Sequence, residues 1–195
     1  FDGSDLFCVH GERLVNISGA NGADGTVYAT ELDTTFARFV SRGAQDGAPL
    51  YFESHAASGE RILFGSAADA RMLVPGRQQV AAWKMNERRD SFGNFMTFTH
   101  APDPVSGVPA LSRIDYGGND VTNLTFSTDG ADVAVIAPYH SIQFDYEERP
   151  DTAAHFAAGL LLRNTQRVRR VRSLANTTEF VYFTLEYEQG CDGAS

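Results

Sequence analysis

Residues 142–147 read Ile142-Gln143-Phe144-Asp145-Tyr146-Glu147. Apolar side chains alternate with polar ones at a period of two, so one face is buried and the other meets solvent, which is the signature of a half-buried β-strand. Val181, Phe183, Leu185 and Tyr187 repeat the pattern against Phe180, Tyr182, Thr184 and Glu186. Bulk on both faces there predicts a strand that is central or covered on both sides. Met96 and Phe98 oppose Phe95 and Thr97 in the same way.

Working outward, shorter strand candidates fall at 6–9, 13–17, 27–32, 36–41, 50–54, 61–64, 80–85, 112–116 and 133–136. Turn chemistry separates them. Residues 19–25 and 43–47 are glycine-rich loops. Asp90-Ser91-Phe92-Gly93-Asn94 joins two strong strand candidates: Gly93 supplies a positive φ at low steric cost, and Asp90 bonds backbone amides two residues on. Three prolines in 100–109 lack ladder donors and mark a connection, with a candidate subdomain break near 101–109. This rhythm predicts a mainly β chain, an antiparallel meander or curved sheet of hairpins, forming one domain over 1–195. Residues 152–162 dissent: their composition favours a helix capped by Asp151, weakened by Gly159.

Composition narrows the function. The chain has 195 residues, with 16 Lys and Arg against 25 Asp and Glu, a formal net charge of −9. That excess argues against a nucleic-acid groove or an anionic membrane surface, both of which need clustered cations. No apolar run approaches the length of a membrane-spanning helix. Arg167-Val168-Arg169-Arg170-Val171-Arg172 is the basic run, read as a salt-bridged face answering the acidic excess. Phe1 as first residue and the Gly190–Ser195 tail read as a piece cut from a longer polypeptide.

Chemistry-bearing patterns are sparse. Cys8 and Cys191 stand near the two ends and are either separate thiols or a disulfide joining them. Neither C-x-x-C nor a Cys/His cluster appears, so no zinc or other cofactor is expected. Asp24, Asp46, Asp129 and Asp132 flank glycine turns without a complete calcium-loop pattern. Glu186-Tyr187-Glu188 is an E-x-E of the kind found in mono-ADP-ribosyltransferases, but the Ser-Thr-Ser strand that chemistry needs is absent, Phe126-Ser127-Thr128 coming nearest. Asn16, Asn123 and Asn176 begin glycosylation sequons. Tyr51, Trp83 and Tyr139 are candidate aromatics for an extracellular glycan- or protein-binding module, the alternative to a structural role.

Several motifs occur together in one order. Phe7-Cys8-Val9-His10-Gly11-Glu12-Arg13-Leu14-Val15 resembles F-C-L-D-G-Q-R-L-V, and residues 24–33 resemble G-T-x-Y-x-T-E-I-D. Residues 83–94 resemble W-x-L-x-x-I-x-D-x-x-G-N, with Asp90, Gly93 and Asn94 in register. Residues 114–119 resemble I-x-Y-x-G-N, residues 142–151 resemble V-x-F-x-Y-E-x-R-P-D, and 178–187 fit a closing V-x-x-Y-x-L-x-Y strand. Together they resemble the SpvB-type domain of Tc-toxin B components and related Rhs/YD-repeat virulence proteins. His10, Phe64 and the stretch 123–135 depart from the pattern.

The resemblance implies a secreted, extracellular, non-enzymatic module that contributes strands to a β shell enclosing a toxic cargo. Its implied partners are the remainder of its own polypeptide and other toxin-complex components, with no nucleic acid. It also implies that 152–162 is extended rather than helical. Arg149-Pro150-Asp151 is the motif expected to matter structurally: Pro150 biases Arg149 toward extended geometry, and the two charges are expected to anchor a neighbouring strand or loop.

Overall fold

The computed structural model describes residues 6–122, 135–152, 154–157 and 160–188. Sixteen strands follow one another: β1 Cys8–Val9, β2 Glu12–Ser18, β3 Val27–Thr30, β4 Arg38–Gln45, β5 Ala48–His55, β6 Arg61–Phe64, β7 Arg71–Leu73, β8 Val80–Trp83, β9 Met85–Arg89, β10 Asn94–Pro102, β11 Pro109–Asn119, β12 His140–Glu148, β13 Ala154–Ala157, β14 Leu160–Arg163, β15 Gln166–Ala175 and β16 Thr178–Thr184. A 3-10 turn, Ala68–Ala70, precedes β7.

Twelve strands form one sheet in the order β1-β2-β3-β4-β5-β6-β9-β10-β11-β12-β15-β16. It is an antiparallel meander interrupted twice, and it is not closed into a barrel. The interruptions are two hairpins set apart from the sheet, β7-β8 and β13-β14. The predicted mainly β, antiparallel architecture is the observed one.

Two details differ from the sequence reading, and at 152–162 the extended form implied by the resemblance is found rather than the helix favoured by composition. Strand β4 runs through Gly43 to Gln45, so that turn shrinks to Asp46-Gly47. Strands β10 and β11 pair as far as Pro102 opposite Pro109, leaving 103–108 as a hairpin loop; proline is tolerated at ladder ends, where no donor is demanded. Residues 152–162 contain no helix among the described residues. Ala154 to Ala157 pair with Arg163 to Leu160, so strand pairing overrides the helix propensity. Of the candidate strand at 133–136, residues 133 and 134 lie outside the described residues, and Ile136 makes an isolated bridge to Asn119.

The core sits on one face of the first half of the sheet. Leu14, Tyr28, Phe39 and Phe52 are buried together, with Phe7, Phe64 and Trp83 packed against them. Each rises from a different strand or from the segment before β1, which is why alternation along single strands adds up to one cluster. The rings meet edge to face: Phe52 and Trp83 centroids lie 4.9 Å apart at 89°, and Phe7 and Phe52 lie 5.3 Å apart. Such pairs contribute about 0.5–1.5 kcal/mol each beyond area burial. The Trp83 indole N–H donates to the Pro49 carbonyl at 3.1 Å, locking the β7-β8 hairpin onto this face.

The second half is different. From β9 onward, Pro109 and Leu174 are the buried apolar side chains among the described residues. Strand β16 is the edge of the sheet, and every residue in it is exposed. The sequence predicted that this strand is central or covered on both faces; among the described residues it lies at the edge with every residue exposed.

Candidate assembly surface and its supports

The turn between β9 and β10 is built by the Asp90 carboxylate. Its Oδ1 accepts the backbone N–H groups of Phe92 at 2.8 Å and Asn94 at 2.9 Å, and its Oδ2 accepts the Asn94 side-chain amide at 2.8 Å. Burial pushes this carboxyl up, and those three donors more than offset it, leaving it below its ordinary value. Gly93 has φ +82°, and a Cβ there would stand 2.7 Å from the Asp120 carbonyl oxygen. That close approach is used: the Asp120 N–H donates to the Gly93 carbonyl at 2.9 Å. The Asn119 side chain donates to the Phe92 carbonyl and to Asn94 Oδ1, at 3.1 and 2.9 Å. The D-x-x-G-N and G-N motifs are therefore two halves of one clamp, joining the turn after β9 to the end of β11.

Arg149 and Asp151 form a two-point fork, Nε to Oδ1 at 3.0 Å and Nη2 to Oδ2 at 2.7 Å. The fork holds the Asp151 carboxyl down to about 2, the Arg149 side-chain bond being the largest cause. The charge-assisted bonds expected to reach a neighbouring strand run between these two side chains instead. The link to a neighbour is a backbone one, from the Arg149 N–H to the Thr165 carbonyl at 3.0 Å. Pro150, between them, takes no ladder position.

A residue the sequence reading passed over has the most demanding environment. Asp103 is buried at the head of the 103–108 loop. Its carboxylate accepts the N–H groups of Val105 and Ser106 at 3.0 and 2.9 Å, and from β15's approach it accepts the Thr165 N–H at 3.0 Å and hydroxyl at 2.7 Å. Burial pushes this carboxyl up, but the Thr165 hydroxyl and the three backbone donors hold it far below the usual carboxylate range. The local signal was present: Asp103-Pro104-Val105-Ser106 is an aspartate followed by amides it can cap. Thr165 was not legible as its partner.

Charge alternates across the other face of the sheet. Glu53 accepts from Arg42 Nη2 at 3.0 Å, from Arg61 Nη1 at 3.5 Å, and lies 3.3 Å from His55 Nε2. Arg61 and Arg89 stand directly opposite each other, a repulsive pairing on its own, and share Glu87 Oε1 at 3.4 and 3.2 Å. Arg89 continues to Asp120 at 3.1 Å.

The basic run on β15 is spent in the same way. Arg167 pairs with Glu147 at 2.8 Å, Arg170 with Glu179 at 2.7 Å and Arg172 with Asp145 at 2.7 Å. Arg167 and Arg170 also lie 4.0 Å above the rings of Tyr187 and Tyr182. This is the salt-bridged face the acidic balance called for.

The remaining candidates do not converge. Tyr51 and Trp83 belong to opposite faces, since Tyr51 neighbours Phe52 along β5 and Trp83 packs on Phe52. Tyr139 is 48% exposed against His140, with centroids 4.5 Å apart. Glu186 and Glu188 are exposed beyond β16. Asp24 accepts the Gly43 N–H at 2.7 Å, and Asp46 is exposed. Among the described residues no group of three His, Cys, Asp or Glu could hold a metal ion, and no helix is long and apolar enough to cross a membrane. Cys8 is exposed. Cys191, Asn123, Ser127, Thr128, Asp129 and Asp132 lie outside the described residues.

What is left is the β16 edge. Phe180, Tyr182 and Phe183 are 60%, 56% and 65% exposed, and Val181, Leu185 and Tyr187 extend the apolar surface. Residues 178–184 contain no proline and no lysine, the usual devices that blunt an edge. The opposite edge, β1, has two residues.

The open twelve-stranded meander with two appended hairpins is a fold shared with SpvB-type and Tc-toxin domains. The N-terminal domain of the effector protein SpvB from Salmonella typhimurium strain LT2 superposes with a TM-score of 0.68 at 18% identity, over 95% of this chain and 82% of that one. A TcdB2–TccC3 crystal structure matches with a TM-score of 0.70 at 19% identity, over 89% of this chain and 10% of that one. The Photorhabdus luminescens Tc holotoxin pore matches at 0.67 and 16%, over 91% of this chain and 11% of that one. At these identities the likeness is one of fold. The chain spans about a tenth of the length of the Tc-toxin chains it matches. No protein-family model matches it, and no curated protein matches its sequence.

Proposed function

We propose that this chain is a non-enzymatic structural module of a secreted toxin protein of the Tc/Rhs kind, contributing strands to a β shell that encloses a toxic segment. One observation carries the reading: among the described residues the sheet ends in an aromatic edge strand whose side chains are exposed on both faces. Leaving several large apolar side chains in water is unfavourable by roughly 25 cal/mol per Å². An edge of this length is a template for another strand. The partners are then the remainder of the same polypeptide, which continues the sheet beyond β16, and through it other toxin components. The likeness of fold to domains within much larger toxin chains supports the same reading. Catalysis is no part of this role: Asp90 and Asp103 are tied into turns, and Asp151, Glu53, Glu87 and Glu147 into ion pairs.

Hydrogen–deuterium exchange on the isolated chain and on the longer polypeptide tests it. Backbone amides of 178–184 that face outward exchange fast in isolation and gain protection of at least a hundredfold in the longer protein. Equal exchange in both overturns the assignment of β16 as the junction.

A further inference from the structure

Away from the β16 edge, a break in the strand register gathers polar and aromatic side chains on one face of β9, β10 and β11. Between the pairs Phe95–Gly118 and Thr97–Asp115, Tyr116 and Gly117 stand opposite Met96 alone. Such a β-bulge interrupts the alternation of β11 and re-aims its side chains. Met96 is paired with Arg88 across β9, so Arg88 shares its face. Arg88 alternates with Glu87 and Arg89 and stands on the reverse of their charge ladder. Gly117 has φ +85°, and a Cβ there would stand 2.9 Å from Tyr139 Cε1, so glycine lets the Tyr139 ring lie against the strand. A cavity of about 530 Å³ results, lined by Glu60, Arg88, Met96, Tyr116 and Tyr139 among others. Arg88 Nε donates to Glu60 Oε1. Among the described residues both Arg88 Nη groups, Glu60 Oε2 and the hydroxyls of Tyr116 and Tyr139 have no hydrogen-bond partner. Asp90 also lines the cavity, with its carboxylate committed to three donors in its own turn.

The geometry points to a carbohydrate-binding site, in which a neutral hexopyranose lays a C–H face on the Tyr139 ring and sets vicinal hydroxyls against Arg88 and Glu60. The volume lies within the range of small-molecule pockets, roughly 300–1,000 Å³. Three observations select the occupant. Arg88 and Glu60 offset each other's charge, so the cavity has no surplus cation to draw an anion. The Asp90 carboxylate is already committed, so no pair of free carboxylates awaits a cation. The unspent groups are a donor fork beside an acceptor, with two hydroxyls that both donate and accept, and a sugar diol matches that mixture because each of its hydroxyls also does both. The half-exposed Tyr139 ring supplies the apolar surface that a pyranose C–H face requires. The site stands apart from the assembly reading and uses no residue of β16.

Saturation-transfer difference NMR on the purified chain is the experiment. The probes are the methyl glycosides of glucose, galactose, mannose and N-acetylglucosamine, with galactose 6-sulfate as the anionic comparison. The expected result is a saturable signal from at least one neutral glycoside, strongest at its ring C–H protons, with no gain in affinity from the sulfate. Tyr139→Ala weakens that binding by about tenfold or more. Tyr139→Phe keeps the ring and weakens it by no more than about threefold. Arg88→Met weakens it by about tenfold, the loss expected for hydrogen bonds from a charged donor. Arg88 and Tyr139 are both exposed, and far-UV circular dichroism and the urea midpoint check that each variant keeps its fold. No saturable response from any neutral glycoside, tighter binding of the sulfate, or unchanged affinity in either Tyr139→Ala or Arg88→Met each overturns the inference.

Discussion

The Asp103 carboxylate accepts both the backbone N–H and the hydroxyl of Thr165, 62 residues further along the chain, at 3.0 and 2.7 Å. One buried charge thus ties the tip of the β10-β11 hairpin to the start of β15, two strands away in the sheet. Asp103→Asn keeps the shape but loses the charge and places an amide N–H₂ among donors. The expected destabilisation is about 2–3 kcal/mol, read from the urea midpoint. The effect is pH dependent with a definite sign. The folded-state carboxyl titrates far below its unfolded value of about 3.9, so its contribution is complete above that value and is lost as pH falls toward the folded one. Between about pH 5 and pH 2 the wild type therefore loses more stability than Asp103→Asn does.

Gly93 faces two separate penalties. Gly93→Ala meets the positive φ and also drives a Cβ to 2.7 Å from the Asp120 carbonyl. Gly107→Ala has a comparable φ of +70° with nothing within 4 Å. The second variant is expected to lose about 1–2 kcal/mol and the first clearly more, because backbone atoms of the β11 end must move. Equal losses in chemical denaturation would refute the clamp.

Glu53 is the hub of the charge ladder on β4, β5 and β6. Glu53→Gln leaves Arg42 and Arg61 without their shared acceptor, on side chains that are 40% and 34% exposed. Solvent screens part of the loss, so the expected cost is about 1–2 kcal/mol by urea denaturation, well short of that for a fully buried pair.

The fork at Arg149 and Asp151 predicts a titration. The Asp151 carboxyl carbon, followed by NMR, titrates near 2 in the wild type. In Arg149→Ala it returns toward the ordinary value of about 3.9. A carboxyl that stays near 2 without Arg149 would show that the fork is not the cause.

Much of this was legible in the chain. Ile142–Glu147 announced a half-buried strand by alternation alone, and Asp90, Gly93 and Asn94 announced their turn, because strand period and turn chemistry are set by neighbours in sequence. The excess of carboxylates announced that the Arg167–Arg172 run would be neutralised, since local pairing is the cheapest way to hold like charges on one strand. At 152–162 composition alone pointed to a helix and the resemblance to an extended segment; helix propensity is a weak local preference, outweighed here by pairing between Ala154–Ala157 and Leu160–Arg163.

By itself the sequence determined the mainly β, antiparallel character, which follows from periodicities of a few residues, while the likeness to SpvB-type domains rested on the resemblance of its ordered motifs. Only the tertiary structure decided that Thr165 is the partner of Asp103, that Asn119 and Asp120 close the Gly93 turn, and that the bulky strand at 178–184 lies on an edge rather than inside. Those facts depend on which strands end up adjacent. Adjacency is a long-range outcome of strand pairing, here of β10, β11, β12, β15 and β16 in one sheet, and no window along the chain contains it.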